Sequence, residues 1–343
     1  MSTAVRIDNV SIVFGDKPKT ALPLMDKGME RGEIQASTDQ VLGVHDCTLT
    51  VEEGEILVLM GLSGSGKSTL LRAVNGLNPV VRGGVEVNDG ERMVNVTQAD
   101  PATLRRLRMH HIAMVFQQFG LLPWRSVRDN VGLGLELAGV TRAERNERID
   151  EQLELVGLSD WAERKVGELS GGMQQRVGLA RAFATRAPIL LMDEPFSALD
   201  PLIRTKLQDE LLELQQKLKR TIIFVSHDLD EAFKLGNTIA IMEGGRIVQS
   251  GSPQDIFRNP ENDYVAEFVQ HMNPLGVLRA RDIMRPVSGT TEHAIPADML
   301  IRDGMDQLID SESPIGVEED GRVIGQIAKD DLLRTLSGPV GQM

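Results

Sequence analysis

The run Gly61-Leu62-Ser63-Gly64-Ser65-Gly66-Lys67-Ser68-Thr69 sets closely spaced glycines before a lysine and two hydroxyls. It satisfies G-x-x-x-x-G-K-[ST], and the chemistry of that pattern is phosphate binding. Glycines let backbone N–H groups converge on an anion without Cβ clashes, and a following helix adds the positive end of its dipole. Lys67 is expected to reach β- and γ-phosphates, and the Ser68 hydroxyl to ligate Mg²⁺. A second constellation, Asp193-Glu194, ends the apolar run Ile189-Leu190-Leu191-Met192. Asp193 is placed to hold Mg²⁺ through water, and Glu194 to polarise an attacking water and accept its proton. A third, Leu169-Ser170-Gly171-Gly172-Met173-Gln174-Gln175, puts a serine and two glycines at a helix start, a second potential anion site.

Elements must position these groups. The apolar runs at 56–60, 189–192 and 222–225 are each followed by glycine-rich or polar turns and then helical patterns, the rhythm of a buried parallel sheet with crossover helices. Gly76 is placed to end the helix that follows the glycine loop. Thr141 and Glu144 form a capping-box pattern ahead of Ile149, Leu153 and Val156, which share a helical face. Ser170 opens another helix, expected to run until Pro188. Asp200-Pro201 caps a further helix, with Leu207, Leu211, Leu214 and Leu218 as its buried stripe. Residues 239–242 and 246–248, separated by Glu243-Gly244-Gly245, read as a hairpin. Residues 16–40 interrupt the first strands as a polar insert expected to hold one short helix. After Asn273-Pro274 the pattern restarts as a small unit of roughly 65 residues, short for an independent domain.

Composition excludes other classes. The 343 residues carry 37 Lys and Arg against 50 Asp and Glu, a net charge of −13 that argues against a nucleic-acid partner. The single cysteine, Cys47, leaves no internal disulfide and no cysteine-rich zinc site, as in a reducing compartment. His45, His110, His111, His271 and His293 lack metal-ligand spacing and read as structural or surface residues. Residues 1–10 have no apolar core, so no secretory signal is expected. The apolar runs fall far short of the roughly 20 residues of a membrane helix, so any membrane role is expected to come through a partner.

In combination, GLSGSGKST, LSGGMQQ and ILLMDEP resemble the signature of ATP-binding-cassette (ABC) ATPases. Further elements follow in the family's order: Gln117 in MVFQQ, Ser197-Ala198-Leu199-Asp200, and His227 in FVSHD. The resemblance spans about residues 5–270. It implies an α/β P-loop nucleotide-binding domain over residues 1–274, with a helical subdomain at about 119–187. It implies ATP and Mg²⁺, with Gly61, Ser63, Gly64, Ser65, Gly66, Lys67, Ser68 and Thr69 around the phosphates. Ser68, Gln117 and Asp193 would face the Mg²⁺. Glu194 would be the base, His227 a donor to the γ-phosphate, and Gln117 a link to the helical subdomain. Phe14 holds the position where the family stacks an aromatic on adenine, with an exposed or core phenylalanine as an equal rival. Family members pair head to tail, so Ser170, Gly171 and Gly172 of one copy would cap ATP on the P-loop of the other, and Asp200 joins the nucleotide-binding set.

The chain holds one cassette, no long coiled coil between Lys67 and Ser170, and no fused membrane helices. The resemblance therefore narrows to an importer ATPase on the cytoplasmic side of the inner membrane. It would dock on separate permease subunits and be served indirectly by a solute-binding protein. The insert at 16–40, GLSGSGKSTLLRAVNGLNP, FGLLPWRSVRDNV and the tail look like the quaternary-amine branch, which takes up glycine betaine, proline betaine or choline. Proline or histidine uptake is an alternative, and a free-standing regulatory ATPase is the rival of another class. Trp124 departs from the histidine expected there; it is either matched to a particular permease or a surface aromatic without a role. Residues 275–343 form an expected small α+β domain, whose stretch 278–336 resembles a single cystathionine-β-synthase-type (CBS) module. Its matching phrases are ARDIMRP, EDGRVIG and DDLL. Ala328 replaces the usual threonine of the ribose-binding phrase while Asp331 is retained, so a dimerising or vestigial regulatory unit is favoured over a nucleotide sensor.

Overall fold

The structure, a computed structural model, describes residues 2–337 apart from 119, 271, 290, 292 and 312, which leaves His271 and everything after 337 outside the described residues. The chain divides into two compact units, residues 1–227 with 240–247, and residues 228–239 with 248–343.

In the first unit the strands Ile56–Met60, Ile189–Asp193 and Thr221–Val225, apolar but for Asp193 and Thr221, are buried along their whole length. Continuous apolar runs of this kind suit strands covered on both faces. They pair in parallel, joined by Ile112–Val115, in a sheet ordered 246–251, 238–243, 56–60, 221–225, 189–193, 112–115. The expected hairpin is present at one edge, with Gly244 and Gly245 both left-handed at its tip. A second sheet escapes the sequence pattern. It is antiparallel, ordered 41–52, 3–14, 82–88, 93–95. The pairing of 3–14 with 41–52 is interrupted by repeated register shifts, and each extra residue shifts the alternation that would announce a strand. Ile7, Val10, Ile12, Leu57, Leu59, Leu70, Leu191 and Val225 share one core, which seats the helix Lys67–Val74 among the strands. That helix ends as expected, with Gly76 at φ +69° and Leu77 N–H donating to the Arg72 carbonyl at 2.9 Å.

The insert is more ordered than one short helix. A 3-10 turn, Pro18–Ala21, leads into the helices Leu22–Asp26 and Arg31–Thr38. The second helix is fixed at both ends, by a reciprocal Glu30/Glu33 capping box and by left-handed Asp39. Ala21, Met25 and Ile34 pack with Val13 and Leu42 in a small core of their own.

Helices Val127–Val131, Leu133–Leu137, Arg142–Leu155 and Gly171–Ala184 follow. Thr141 caps the third through the Glu144 N–H, and Ile149, Leu153 and Val156 are buried. The loop before them is organised by buried Asn130, whose side chain bonds Leu122 N–H, Leu122 O and Ser126 O at 2.7–3.0 Å. Trp124, in that loop, is 70% exposed. The helix opened by Ser170 stops at Ala184, before Pro188. In the helix Pro201–Leu218, Leu207 and Leu211 are buried but Leu218 is exposed, so the apolar stripe stops short of the helix end.

The second unit contains the helices Leu229–Leu235, Pro253–Arg258 and Asp263–Val269 and a three-stranded sheet. There Ala294–Pro296 pairs in parallel with Ile315–Glu319, which pairs antiparallel with Arg322–Ile327; the helix Lys329–Ser337 follows. The boundary expected after Pro274 lies inside this unit. Gln254 Nε2 donates to the Val277 carbonyl at 3.2 Å and Arg258 pairs with Asp282 at 3.1 Å, tying the preceding helix to the tail. Among the described residues no helix is long and apolar enough to cross a membrane.

Candidate nucleotide-binding site

The phosphate loop has the backbone its glycines permit. Gly61 sits at φ +138°, and a Cβ there would come within 2.1 Å of the Met242 carbonyl. Lys67, nearly buried, donates from Nζ to the carbonyls of Gly61 at 2.7 Å and Leu62 at 2.9 Å. Burial pulls its pKa down, opposed by the charges of Glu194 and Asp193. Ser63 and Gly64 are exposed at the loop's crest, while Ser65 Oγ is buried with no hydrogen-bond partner among the described residues. A loop with a lysine on weak carbonyl acceptors and an orphan hydroxyl has donors to offer an anion.

Behind it lies fully buried Asp193. Ser68 Oγ donates to its Oδ1 at 2.6 Å, and Arg72 donates to its Oδ2 at 2.8 Å. The hydroxyl and carboxylate oxygens of Ser68 and Asp193 are hard ligands of the kind Mg²⁺ takes, one or two at a time, beside phosphate and water. Glu194 comes next, at φ +47°. A left-handed carboxylate residue is held there only when its surroundings insist. Its N–H donates to Val225 O at 3.1 Å, and its carbonyl accepts from Gln175 Nε2 at 3.1 Å and Ser197 Oγ at 3.0 Å. Gln175, almost fully buried, in turn accepts from Ala198 N–H at 3.1 Å. The Glu194 carboxylate meets Gln117 Nε2 at 3.3 Å and His227 Nδ1 at 3.4 Å, both on Oε2.

The structure thus brings together Lys67, Ser68, Asp193, Glu194, Gln117 and His227. Phe14, 38% exposed, ends its strand; a Cβ on Gly43 would lie 2.8 Å from its ring and 3.1 Å from the Thr69 methyl, so the aromatic borders the loop's own helix. Ser170 and Asp200 are instead occupied as helix caps, accepting from Met173 N–H at 3.4 Å and Ile203 N–H at 3.1 Å. Ser170 and Gly171 are exposed, Gly172 half-buried. Sequence reasoning missed Gln175, Arg72 and Arg31, whose Nη1 donates to the Gly64 carbonyl at 2.7 Å. Gln175 and Arg72 sit inside quoted motifs, but no motif announces Arg31.

Residues 44–197 match the family described as ABC transporter. The glycine betaine/proline betaine transport system ATP-binding protein ProV of Escherichia coli (strain K12) is 44% identical over 99% of this chain and 84% of its own length. The trimethylamine N-oxide transport system ATP-binding protein TmoW of Ruegeria pomeroyi is 41% identical over 98% of this chain and 97% of its own. Among solved structures, the dimeric post-hydrolysis state of the cassette MJ0796 bound to ADP and Pi matches with a TM-score of 0.62 and 30% identity, covering 72% of this chain and 98% of that one. With that relationship and a P-loop backed by a paired acid strand, the chain belongs to the ABC transporter family, as an ATP-binding subunit homologous to those of glycine betaine/proline betaine transport.

Proposed function

We propose that this chain hydrolyses ATP to drive import of a quaternary amine such as glycine betaine or choline, acting at the cytoplasmic face of the membrane through separate permease subunits. The observation that carries the reading is the double contact on Glu194 Oε2 by Gln117 and His227, next to the Lys67 loop. In this scheme Lys67 exchanges the Gly61 and Leu62 carbonyls for β- and γ-phosphate oxygens. Ser68 and Asp193 would hold Mg²⁺, which when bound neutralises phosphate charge. Glu194 takes the proton of the attacking water, Gln117 orients that water, and His227 donates to the γ-phosphate. Phe14 offers its exposed face to adenine. Ser170, Gly171 and Gly172, with Asp200, face the ATP of a second copy, a reading supported by the dimeric state of the related cassette.

The tail from 275 is proposed as a CBS-like unit serving dimerisation or regulation. Asp331, buried, already accepts from the Ala328 N–H at 2.9 Å and pairs with Arg285, which argues against its binding a ribose. The test of the main reading is reconstitution with permease subunits in liposomes. ATP hydrolysis stimulated by a glycine betaine-loaded binding protein is expected, and its absence overturns the assignment. Trimethylamine N-oxide is the second reading, because its ATP-binding relative matches over nearly the full length of both chains; the same assay with that solute separates the two.

A further inference from the structure

Residues 16–40 have no part in the scheme above, yet one of their side chains reaches the phosphate loop. Arg31, half-buried, opens the helix Arg31–Thr38. Its Nη1 donates to the Gly64 carbonyl at 2.7 Å, and its Nε donates to the Leu42 carbonyl. One guanidinium therefore spans two backbone segments, which its planar fork of donors suits and a flexible ammonium does not.

Both segments matter to a nucleotide. The Gly64–Ser65 peptide lies at the loop's crest; Arg31 takes its oxygen, while its N–H donates to Leu62 O at 3.2 Å. Held at both ends, that peptide plane cannot turn over. Leu42 directly precedes Gly43, the residue against which the Phe14 ring and the Thr69 methyl lie. The insert carrying Arg31 is anchored independently: Ile34 of its own helix and Met25 of the helix before it share a core, and two bonds from Arg82 hold Asp26 of that preceding helix at 2.6 and 3.0 Å. Arg31 engages carbonyl oxygens only, so it consumes none of the loop's anion-binding N–H groups.

We infer that Arg31 is a positioning residue for nucleotide binding, holding the phosphate loop in register with the strand Val41–Glu52, which pairs with the strand ending in Phe14. The inference rests on the nucleotide reading of the loop. A nucleoside diphosphate or triphosphate then finds its phosphate donors and base platform already set, and less of the binding energy goes into ordering them. Loss of such preorganisation weakens ground state and transition state alike, raising KM and leaving kcat in place.

The experiment is calorimetric titration with Mg²⁺ and ADP, beside steady-state ATP hydrolysis, on the full chain and its Arg31→Gln, Arg31→Lys and Asp26→Asn variants. Arg31→Gln is expected to weaken ADP binding about tenfold and to raise the KM for ATP similarly, the scale of a hydrogen bond to a charged group. Arg31→Lys should fall in between. Asp26→Asn, which loosens the same insert without touching the loop, should bind ADP like the wild type. Equal ADP affinity in Arg31→Gln and wild type overturns the inference. Equal losses in Arg31→Gln and Asp26→Asn also overturn it, since packing of the insert would then be the cause. A wild type that binds no ADP sinks the nucleotide reading itself. Melting temperatures without nucleotide identify a variant that has not folded, and Arg31→Lys then carries the test.

Discussion

Glu194 occupies a backbone region that costs a side-chain-bearing residue about 1 kcal/mol, and four bonds to its main chain keep it there. That investment aims Oε2 at Gln117 and His227. Glu194→Gln is expected to cut kcat by about 100-fold or more, the scale of general-base catalysis, with ATP binding kept; phosphate release and equilibrium titration check both. Gln175→Leu leaves the Ala198 N–H without its acceptor and weakens the hold on Glu194. It should lower the melting temperature by the equivalent of about 1–3 kcal/mol and reduce kcat more than it changes KM. The P-loop and Asp193-Glu194 were legible in the sequence because their chemistry is written in adjacent residues. Gln175 was not, although it stands in a quoted motif, because its partners lie 19 and 23 positions away and only the fold makes them neighbours.

Elements show the same divide. The parallel strands announced themselves as unbroken apolar runs, whereas the bulged strands Thr3–Phe14 and Val41–Glu52 lost their alternation to register shifts. The insert's helices, five and eight residues long, are too short for a periodic signal; they are stable because Met25 and Ile34 find a core. Ile34→Ala should therefore cost about 2–5 kcal/mol in denaturant unfolding, the range for emptying a buried aliphatic site. The hairpin tip has a pH signature. His45 N–H donates to Gly245 O at 2.8 Å, and its Nε2 lies 3.0 Å from Arg246. Burial first, and the Arg246 charge second, hold the His45 pKa below its ordinary value. As pH falls through that ordinary value, near 6.5, the unfolded chain takes up a proton that the folded chain does not, so stability drops. His111 shifts in the same direction, chiefly through burial. Melting curves from pH 7.5 down to 5.5 should fall for the wild type and fall less for His45→Gln.

For the whole molecule the decisive prediction concerns two copies. If the Ser170 helix of one chain closes on the phosphate loop of the other, Glu194→Gln should dimerise on adding ATP, and Ser170→Arg in that background should stay monomeric by light scattering. The family was readable at this scale because its motifs recur in order. The division into units was not, because it depends on side chains such as Arg258 and Gln254 reaching forward along the chain. That reach has a practical result. A knife placed after Pro274 would strip Arg258 and Gln254 of their counterparts and leave a stump of orphaned helices, so a truncated protein that misbehaves says nothing about what the severed end was for.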